Sequence, residues 1–387
     1  MRIYLDHNAT TPLDPLVADR MAQTLRDTWG NASSIHHFGQ QAKAALDAAR
    51  SAVAALIGAD ASELVFTAGG TESDNVAIRG AAEAMEPSGR KHLVTSGIEH
   101  EAVLNTMKAL ARRGWRVTIV PVDPSGIVSI ERLREAITAD TALVSVMHAN
   151  NEIGTIQPIA EIAAIAHDRG ALFHTDAVQS AGKMPIDVRA LGVDLLTIAA
   201  HKFYGPKGAG ALWVKRGVRL LSPITGGKQE RSRRAGTENV AAIVGMGVAA
   251  EVAPRKMPTE GPRLAALRDR LEAGILSRVS GTERNGTAEP RVPNTTNISV
   301  DRVEAESLLI GLDLAGIAVS SGSACSSGTL EPSHVLKAMG LPHARTLGSI
   351  RFSLGAGNTD ADIDRVLEVL PPLVEKLRSL TTVGVRK

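Results

Sequence analysis

Cysteine and aromatic residues are scarce in this sequence of 387 residues, which has one cysteine, Cys325, and 3% aromatic side chains. A single cysteine excludes a disulfide within the chain and is typical of a reducing compartment. The scarcity of aromatics means that the core must consist mainly of Ala, Val, Leu and Ile. A charge excess of one sign is lacking too, since the formal net charge is +2. Because nucleic-acid binding requires a concentrated basic face, no nucleic-acid partner is expected.

Long apolar runs are also missing from the sequence. None approaches the roughly 18 consecutive apolar residues that a membrane-spanning helix needs, and residues 1–7 lack the apolar segment of a secretory signal. The remaining composition, with 44% hydrophobic and 22% charged residues, is ordinary for a globular enzyme of two or three domains. We therefore expect a cytoplasmic protein that makes no contact with membranes.

The pattern between residues 64 and 214 alternates short apolar strands with helices. The predicted strands are 64–66, 92–94, 117–120, 143–146, 171–174, 193–198 and 210–214, and the helices between them are 71–85, 101–113, 131–137 and 159–168. Continuous apolar strands that alternate with helices are typical of a mainly parallel sheet covered on both faces. The sequence therefore predicts an α/β fold with a central sheet flanked by helices.

A change of pattern follows the segment 253–258, which is rich in proline and charge and is the predicted domain boundary. A helix over 237–252 precedes it. The elements predicted beyond it are a helix at 264–278, a strand at 296–300, a helix at 304–312, a strand at 350–354 and a helix at 360–380. We expect a large domain of residues 13–256. A smaller α+β domain would consist of residues 1–12 and 257–387 and carry a loop at about 321–331 that contains Cys325.

A lysine stands where one of the predicted strands ends, in the stretch 199–210, which turns at His201 and Lys202 and continues through Gly and Pro. The carboxyl edge of a sheet is where α/β proteins bind ligands. A lysine amine forms a Schiff base with a carbonyl when its pKa is lowered. Lys202 is therefore a candidate for covalent chemistry, and a turn with two solvated lysines is the alternative.

Other polar residues end neighbouring strands. Gly70 and Thr71 join a strand to a helix start, where backbone N–H groups attract a phosphate, although an ordinary capped turn has the same composition. His100, Asn151 and Asp176 follow other strands, and each has a structural alternative as a lone histidine, a turn or a helix cap. Taken together, these features resemble those of an enzyme that uses pyridoxal phosphate, which needs a lysine, an acid at its pyridine nitrogen and an anion site.

Longer motifs narrow the resemblance to one family. They are Tyr-Leu-Asp at 4–6, Thr-Glu-Ser-Asp-Asn at 71–75, Asn-Asn-Glu-Ile-Gly at 150–154, Asp-Ala-Val-Gln at 176–179, Arg-Ala-Gly-Thr-Glu-Asn-Val at 234–240 and Ser-Gly-Ser-Ala-Cys at 321–325. From end to end the chain resembles the cysteine desulfurases of the class V aminotransferase superfamily, nearest to the nitrogen-fixation type. The resemblance implies pyridoxal-phosphate fold type I, with the cofactor bound by the large domain.

The same resemblance implies a role for each cofactor-binding residue. Lys202 would hold pyridoxal 5'-phosphate as a Schiff base and move the α-proton of the substrate, and His100 would stack on the ring and transfer protons. Asp176 would contact the pyridine nitrogen, and Gln179 would contact the phenolic oxygen. The phosphate would be bound by Gly70, Thr71 and His201. Thr237 would reach the same phosphate from the partner subunit of a homodimer. Ala199 stands where the family usually has a serine, so one phosphate contact is expected to be missing.

The substrate side of the resemblance involves Asn151, Arg351 and Cys325. Asn151, which is also counted among the cofactor-binding residues, and Arg351 would hold the carboxylate of L-cysteine. Small polar residues surround Cys325 and favour a reactive thiol over a buried hydrophobic side chain. Its thiolate would take the substrate sulfur as a persulfide and release L-alanine.

The destination of the sulfur is implied as well. The resemblance predicts transfer to an iron–sulfur scaffold or another acceptor protein, in a nitrogenase-related pathway, with no metal bound by the enzyme itself. The alternatives are a selenocysteine lyase, a transaminase of small amino acids, and a sulfur-relay or scaffold-binding protein with vestigial catalysis.

Overall fold

The computed structural model describes residues 2–321 and 332–384, so Cys325 and most of the predicted loop at 321–331 lie outside the described residues. The strands are β1 Ile3–Tyr4, β2 Leu64–Thr67, β3 His92–Ser96, β4 Arg116–Val120, β5 Thr141–Ser145, β6 Leu172–Asp176, β7 Leu195–Ala199, β8 Gly210–Val214, β9 Thr282–Asn285, β10 Thr295–Val300, β11 Ile317–Ala318 and β12 Ser349–Ser353.

Helices cover the strands on both sides. They are α1 Pro15–Asp27, α2 His37–Leu56, α3 Gly70–Met85, α4 Glu101–Ala111, α5 Ile130–Ala136, α6 Ile159–Asp168, the single turn α7 Gln229–Ser232, α8 Val240–Arg278, α9 Ala305–Leu314, α10 His334–Ala338, α11 His343–Leu347 and α12 Asp360–Gly384. In the part of the chain that the structure describes, none of these helices is both long and apolar enough to cross a membrane.

A seven-stranded sheet in the order β2-β8-β7-β6-β5-β3-β4 forms the centre of the larger layer. The pairs from β4 to β7 are parallel, and β8 runs antiparallel to both of its neighbours. Successive residues of a strand point to opposite faces. Accordingly, Leu143 packs into the cluster with α3 and α4, whereas Val144 packs into the cluster with α2, α6 and α8. This architecture confirms the predicted α/β fold with a mainly parallel sheet.

The smaller layer contains an antiparallel sheet in the order β12-β10-β9 and the parallel pair β1–β11. Its buried aliphatic cluster includes Leu5 from the amino terminus, Leu271 from α8, Leu308 from α9 and Val366 from α12. The amino-terminal segment continues beyond β1 along β12, where the Ser353 N–H donates to the carbonyl oxygen of Leu5 over 2.8 Å. The first residues of the chain are therefore integrated into this layer.

The segment 253–258, the predicted domain boundary, is helical. Helix α8 is continuous across it and contains Pro254, Pro258 and Pro262. Each proline removes one helical hydrogen bond, but all three lie on an exposed face, where water can solvate the freed carbonyl oxygens. Buried side chains on both halves of the helix, such as Met246 and Leu271, pack against the two cores. This packing maintains the helix, and the predicted division into domains stays a prediction.

Candidate active site

Lys202 lies at the carboxyl edge of the central sheet, as its position after a strand predicts. Strand β7 ends at Ala199, and one 3-10 turn, Ala200–Lys202, follows. The Lys202 Nζ donates to the carbonyl oxygen of Asn8 over 2.6 Å and to that of Ala9 over 2.7 Å. The amine is thus directed at the amino-terminal segment where it crosses this edge.

Asp176 ends the neighbouring strand β6 and is 5% exposed. Burial raises the pKa of its carboxyl group, whereas the charge of His100, the Val178 N–H and the charge of Lys202 act in the opposite direction. The Val178 N–H donates to Asp176 Oδ1 over 2.9 Å. A buried carboxylate of this kind is best stabilised by a cationic partner, and a protonated pyridine nitrogen is such a partner.

Two further buried acids, Glu99 and Asp74, lie close enough to Asp176 to interact with its charge, and sequence reasoning gave neither a role. Burial, with a smaller contribution from the charge of Asp176, raises the pKa of Glu99 to about 8 against the opposing hydrogen bonds from Ser96 and Met147. Burial and the charge of Asp176 likewise place the pKa of Asp74 well above its usual range. Their carboxyl groups therefore retain protons more strongly than exposed ones do.

Glu99 is expected to make the protein less stable at alkaline pH. Its folded-state pKa of about 8 exceeds the ordinary value of 4.5, so its contribution is fully present below pH 4.5 and is lost as the pH rises through 8. In Glu99→Gln, the amide cannot ionise. Urea denaturation measures the free energy of unfolding. We expect Glu99→Gln to gain stability relative to wild type by roughly 2 kcal/mol when the pH is raised from 5.5 to 8.5.

The matched control for this prediction is Glu101→Gln, an exposed acid two residues further along the chain. It should leave the pH dependence of the unfolding free energy unchanged. If the unfolding free energies of wild type and Glu99→Gln changed in parallel with pH, the raised pKa of Glu99 would be contradicted.

The predicted phosphate end forms a pocket at the start of α3. Gly70, Thr71 and His201 line it together with residues 9–10 of the amino-terminal segment. The first N–H groups of a helix attract anions. Burial and the charges of Lys202, Lys207 and Lys183 lower the pKa of His201 to about 4, so its ring is neutral at neutral pH and can donate one hydrogen bond.

Two glycines and Ala199 shape this end of the site. A Cβ atom on Gly210 would lie 2.7 Å from the backbone of Gly69, so β8 and the turn before α3 can approach closely only without that side chain. A Cβ atom on Gly70 would lie 3.7 Å from the Ala199 methyl group. Ala199, the departure from the family pattern, therefore lies directly beside the turn. Thr237 is exposed and does not line this pocket within the described chain.

His100 precedes α4 and caps it. Its Nδ1 accepts a hydrogen bond from the Ala102 N–H over 3.1 Å. Because Nδ1 is the acceptor, the hydrogen of the neutral ring is on Nε2. His100 and Thr71 line one cleft, which connects the ring to the phosphate end.

The two predicted substrate residues, Asn151 and Arg351, are in contact. The Arg351 Nη1 donates to the carbonyl oxygen of Asn151 over 3.1 Å, and its Nη2 contacts Asp6 Oδ1 over 2.6 Å. Sequence reasoning assigned Asp6 no role, although it ends the Tyr-Leu-Asp motif. Arg351 is 2% exposed, and its Nε has no partner in the described structure. The guanidinium is therefore already oriented and retains capacity for an anion.

Asn8 is another residue of the site that sequence reasoning missed. Its carbonyl oxygen accepts hydrogen bonds from Lys202 Nζ and, over 3.0 Å, from the Nε2 of Gln179. Its side-chain Nδ2 donates to the Asn151 carbonyl oxygen over 3.0 Å and to Thr295 Oγ1 over 2.8 Å. Asn8 thus connects Lys202 and Gln179 with Asn151 and with β10.

The described residues on either side of the Cys325 segment attach beside this site. On one side, the Arg351 N–H donates to the carbonyl oxygen of Ser320 over 2.7 Å. On the other, Ser333 Oγ donates to Glu152 Oε2 over 2.5 Å, and His334 Nε2 contacts the Glu99 carbonyl oxygen over 2.9 Å. The chain therefore leaves and returns next to residues of the site, while Cys325 itself lies outside the described residues.

The assembled residues fit pyridoxal phosphate. Lys202 can bind its aldehyde carbon, the buried Asp176 needs a cation such as its ring nitrogen, and the turn at Gly70 offers N–H groups to its phosphate. The ring of His100 and the amide of Gln179 lie on the same edge of the sheet. No feature of the described site conflicts with this cofactor.

Comparisons with known proteins agree with this arrangement. The model of the family described as "Aminotransferase class-V" matches residues 3–366. A cysteine desulfurase of Gluconacetobacter diazotrophicus is 51% identical over 381 residues, which cover 98% of this chain and 95% of that protein. A cysteine desulfurase IscS of Dictyoglomus turgidum is 50% identical over 379 residues, which cover 98% and 96%.

A solved structure described as a NifS-like protein superimposes with a TM-score of 0.89 at 37% sequence identity, over 99% of this chain and 100% of that one. The fold, the match along nearly the whole chain and the geometry around Lys202 lead to one assignment. The chain belongs to the class-V aminotransferase family, whose fold type I enzymes use pyridoxal phosphate.

Proposed function

We propose that this protein is a cysteine desulfurase that converts L-cysteine to L-alanine and takes up the sulfur on Cys325 as a persulfide. One observation carries the proposal: the edge of the sheet that brings Lys202 and Asp176 together is also where both flanks of the Cys325 segment attach. The relatives named cysteine desulfurase support it.

The chain's own residues would prepare the substrate for loss of sulfur. Pyridoxal phosphate supplies a ring that accepts electrons from the α-carbon. Asp176 keeps the ring nitrogen protonated, and Lys202 Nζ accepts the α-proton of L-cysteine. His100, whose Nε2 carries the hydrogen of the neutral ring, takes part in proton transfer as sulfur and alanine leave. Each of these atoms lies at the carboxyl edge of the sheet.

The sulfur step needs no external oxidant. The Cys325 thiolate forms a bond to the sulfur of the substrate, and the carbon–sulfur bond of the substrate breaks. The electron pair of that bond stays with carbon, which takes up a proton to become the methyl group of L-alanine. Lys202 would return the α-proton to the α-carbon before the product leaves. The sulfur transferred is oxidised to the persulfide level, and the carbon is reduced by the same two electrons.

Arg351 would bind the carboxylate of L-cysteine, with Asn151 beside it. Arg351→Lys keeps the charge but loses the two-pronged geometry and cannot contact both Asp6 and Asn151. We expect the KM for L-cysteine to rise about tenfold to a hundredfold with a smaller change in kcat, which steady-state alanine formation measures.

Arg345→Lys is the matched control for Arg351→Lys. Arg345 donates to Asn285 and to the backbone of Arg284, contacts within the small layer. It should leave the KM unchanged, and an unchanged KM in Arg351→Lys would show that another group binds the carboxylate.

The function is tested by incubating the purified protein with L-cysteine and measuring alanine, sulfide in the presence of a thiol reductant, and persulfide on the protein. Alanine and sulfur in equal amounts are the expected result. Turnover of an added keto acid without sulfur release would instead indicate a transaminase, and a strong preference for selenocysteine would indicate a selenocysteine lyase. A purified protein without bound cofactor and without turnover would favour a sulfur-relay role.

The partner subunit and the sulfur acceptor are further parts of this proposal. We infer a cytoplasmic homodimer in which Thr237 contacts the phosphate across the interface. The exposed position of Thr237 supports an interface there, and exposed apolar side chains such as Leu16, Leu25 and Trp29 support association with a second subunit. Sedimentation of the holoenzyme as a monomer at micromolar concentration would contradict it.

We propose that the sulfur serves iron–sulfur cluster assembly, and a nitrogenase-related use rests on resemblance to the nitrogen-fixation type. Labelled sulfur should pass from Cys325 to a scaffold protein and appear in its cluster. If label never leaves Cys325 for such a scaffold, the acceptor is of another kind.

A further inference from the structure

Lys183 is a lysine inside the site to which the proposed chemistry gives no role. It follows β6 in the turn 177–184, four residues after Gln179, a spacing that places the two side chains side by side on a helical turn. Its Nζ donates to Gln179 Oε1 over 2.8 Å and to Asn8 Oδ1 over 2.9 Å. Burial, Lys202 and Arg351 lower its pKa well below the usual range. Both contacts use N–H hydrogens, so they hold for the charged and the neutral amine.

The partners of Gln179 allow only one orientation of its amide. Its oxygen faces the N–H donors of Lys183, and its Nε2 faces the carbonyl oxygen of Asn8, which can only accept. A rotated amide would place hydrogen against hydrogen and oxygen against oxygen. Gln179 therefore presents the second hydrogen of its amide nitrogen, rather than its carbonyl oxygen, as its remaining polar contact.

The orientation of Asn8 is fixed in the same way. Its Oδ1 accepts hydrogen bonds from Lys183 and, over 3.1 Å, from Asn294 Nδ2. Its Nδ2 donates to the Asn151 carbonyl oxygen and to Thr295 Oγ1. Every polar atom of the Asn8 side chain therefore has a partner of the correct kind. Lys183 has this fixed acceptor on one side and the Gln179 oxygen on the other.

We propose that Lys183 is a positioning residue that holds the Gln179 amide with its N–H group, not its oxygen, toward the phenolic oxygen of the cofactor ring. The inference rests on the proposed contact between Gln179 and that oxygen. An amide oxygen in the same place would repel the phenolic oxygen, whereas an N–H group donates to it. Lys183 thus acts on the cofactor through Gln179 and touches neither the cofactor nor the substrate.

Lys183→Met tests this proposal because methionine fills a similar volume without donors. Cofactor is removed from the holoenzyme, and its binding is titrated through its visible absorption. We expect the apparent Kd of pyridoxal phosphate to rise about tenfold, because one hydrogen bond to a charged acceptor is lost. The absorption band of the bound cofactor should also shift. Lys183→Arg keeps N–H donors, and its larger head group can use the adjacent cavity of about 490 Å³. It should retain the affinity within about threefold.

A double-mutant cycle separates the proposal from a general structural effect. In the Gln179→Ala background, Lys183→Met should weaken cofactor binding no further, since the group through which it acts is gone. Lys256→Met is the matched control: Lys256 lines the same cavity but pairs with Asp14 over 2.6 Å, and its removal should leave the Kd and the absorption unchanged.

Each remaining outcome decides against the proposal. Additive effects of Lys183→Met and Gln179→Ala would show that Lys183 acts independently of Gln179. An unchanged Kd in Lys183→Met overturns the positioning role, and an unchanged Kd in Gln179→Ala alone removes the contact on which it rests, without bearing on the desulfurase reaction. If Lys183→Met does not fold, the cycle is run with Lys183→Gln, whose shorter side chain cannot reach both oxygen atoms.

Discussion

Lys202→Ala is expected to abolish both the covalent attachment of the cofactor and the production of alanine. The Lys202 amine would bind the cofactor and move the α-proton, and no other side chain at the end of β7 combines these tasks. Alanine formation from L-cysteine should therefore fall by a factor on the order of 10⁴. The visible absorption of the purified protein and the rate of alanine release measure the two losses separately.

The control for Lys202→Ala is Lys215→Ala, at the opposite edge of the same sheet. Lys215 follows β8 and pairs with Asp194 over 3.1 Å, so its loss should leave both the absorption and the rate unchanged. If Lys202→Ala kept activity within tenfold of wild type, the covalent role would belong to another lysine of the site, with Lys183 the first to be examined.

Cys325→Ala is expected to leave cofactor binding intact and to stop sulfur transfer. The substrate can still bind at Arg351 and lose its α-proton, but its sulfur has no thiolate acceptor. Alanine release should fall by a factor on the order of 10³, and persulfide on the protein should disappear. Because the chain has one cysteine, any persulfide detected on the intact wild-type protein resides on Cys325.

Ser326→Ala, at the next position of the sequence, is the control for Cys325→Ala and should retain both products. Sulfide release by Cys325→Ala at the wild-type rate, with a thiol reductant present, would show that another group removes the sulfur. Cofactor absorption recorded on the same sample distinguishes this outcome from a protein that has lost its cofactor.

The sequence was sufficient to predict the central sheet and the edge that carries the site. Except for the edge strand β4, the apolar strands are largely buried on both faces, so their pattern does not depend on distant partners. Polar residues such as Asp176 and Lys202 interrupt it where strands end. The weakly patterned strands were missed: β9 has the sequence Thr-Glu-Arg-Asn and owes its extended form to pairing with β10. Pairing of that kind cannot be read from local composition.

Two parts of the site were beyond sequence reasoning for different physical reasons. Asn8 acts largely through its backbone carbonyl oxygen, which every residue type possesses, so its side chain does not reveal that function. Glu99 resembles any surface acid in the sequence, and only the tertiary packing that buries it raises its pKa. The prolines of α8 led to the prediction of two helices, 237–252 and 264–278, where the structure has one, because composition does not show which face of a helix is exposed.

The position of Asn8 has a consequence for the order in which the protein folds. Its N–H donates to Ser353 Oγ over 3.0 Å, and its side chain contacts Thr295. Asn8 is thus held by residues 345 and 287 positions away in the sequence, and contacts of such separation form late because a long loop must close first. We therefore expect the acceptor of Lys202 and Gln179 to be completed late in folding, together with the pairing of β10 and β12.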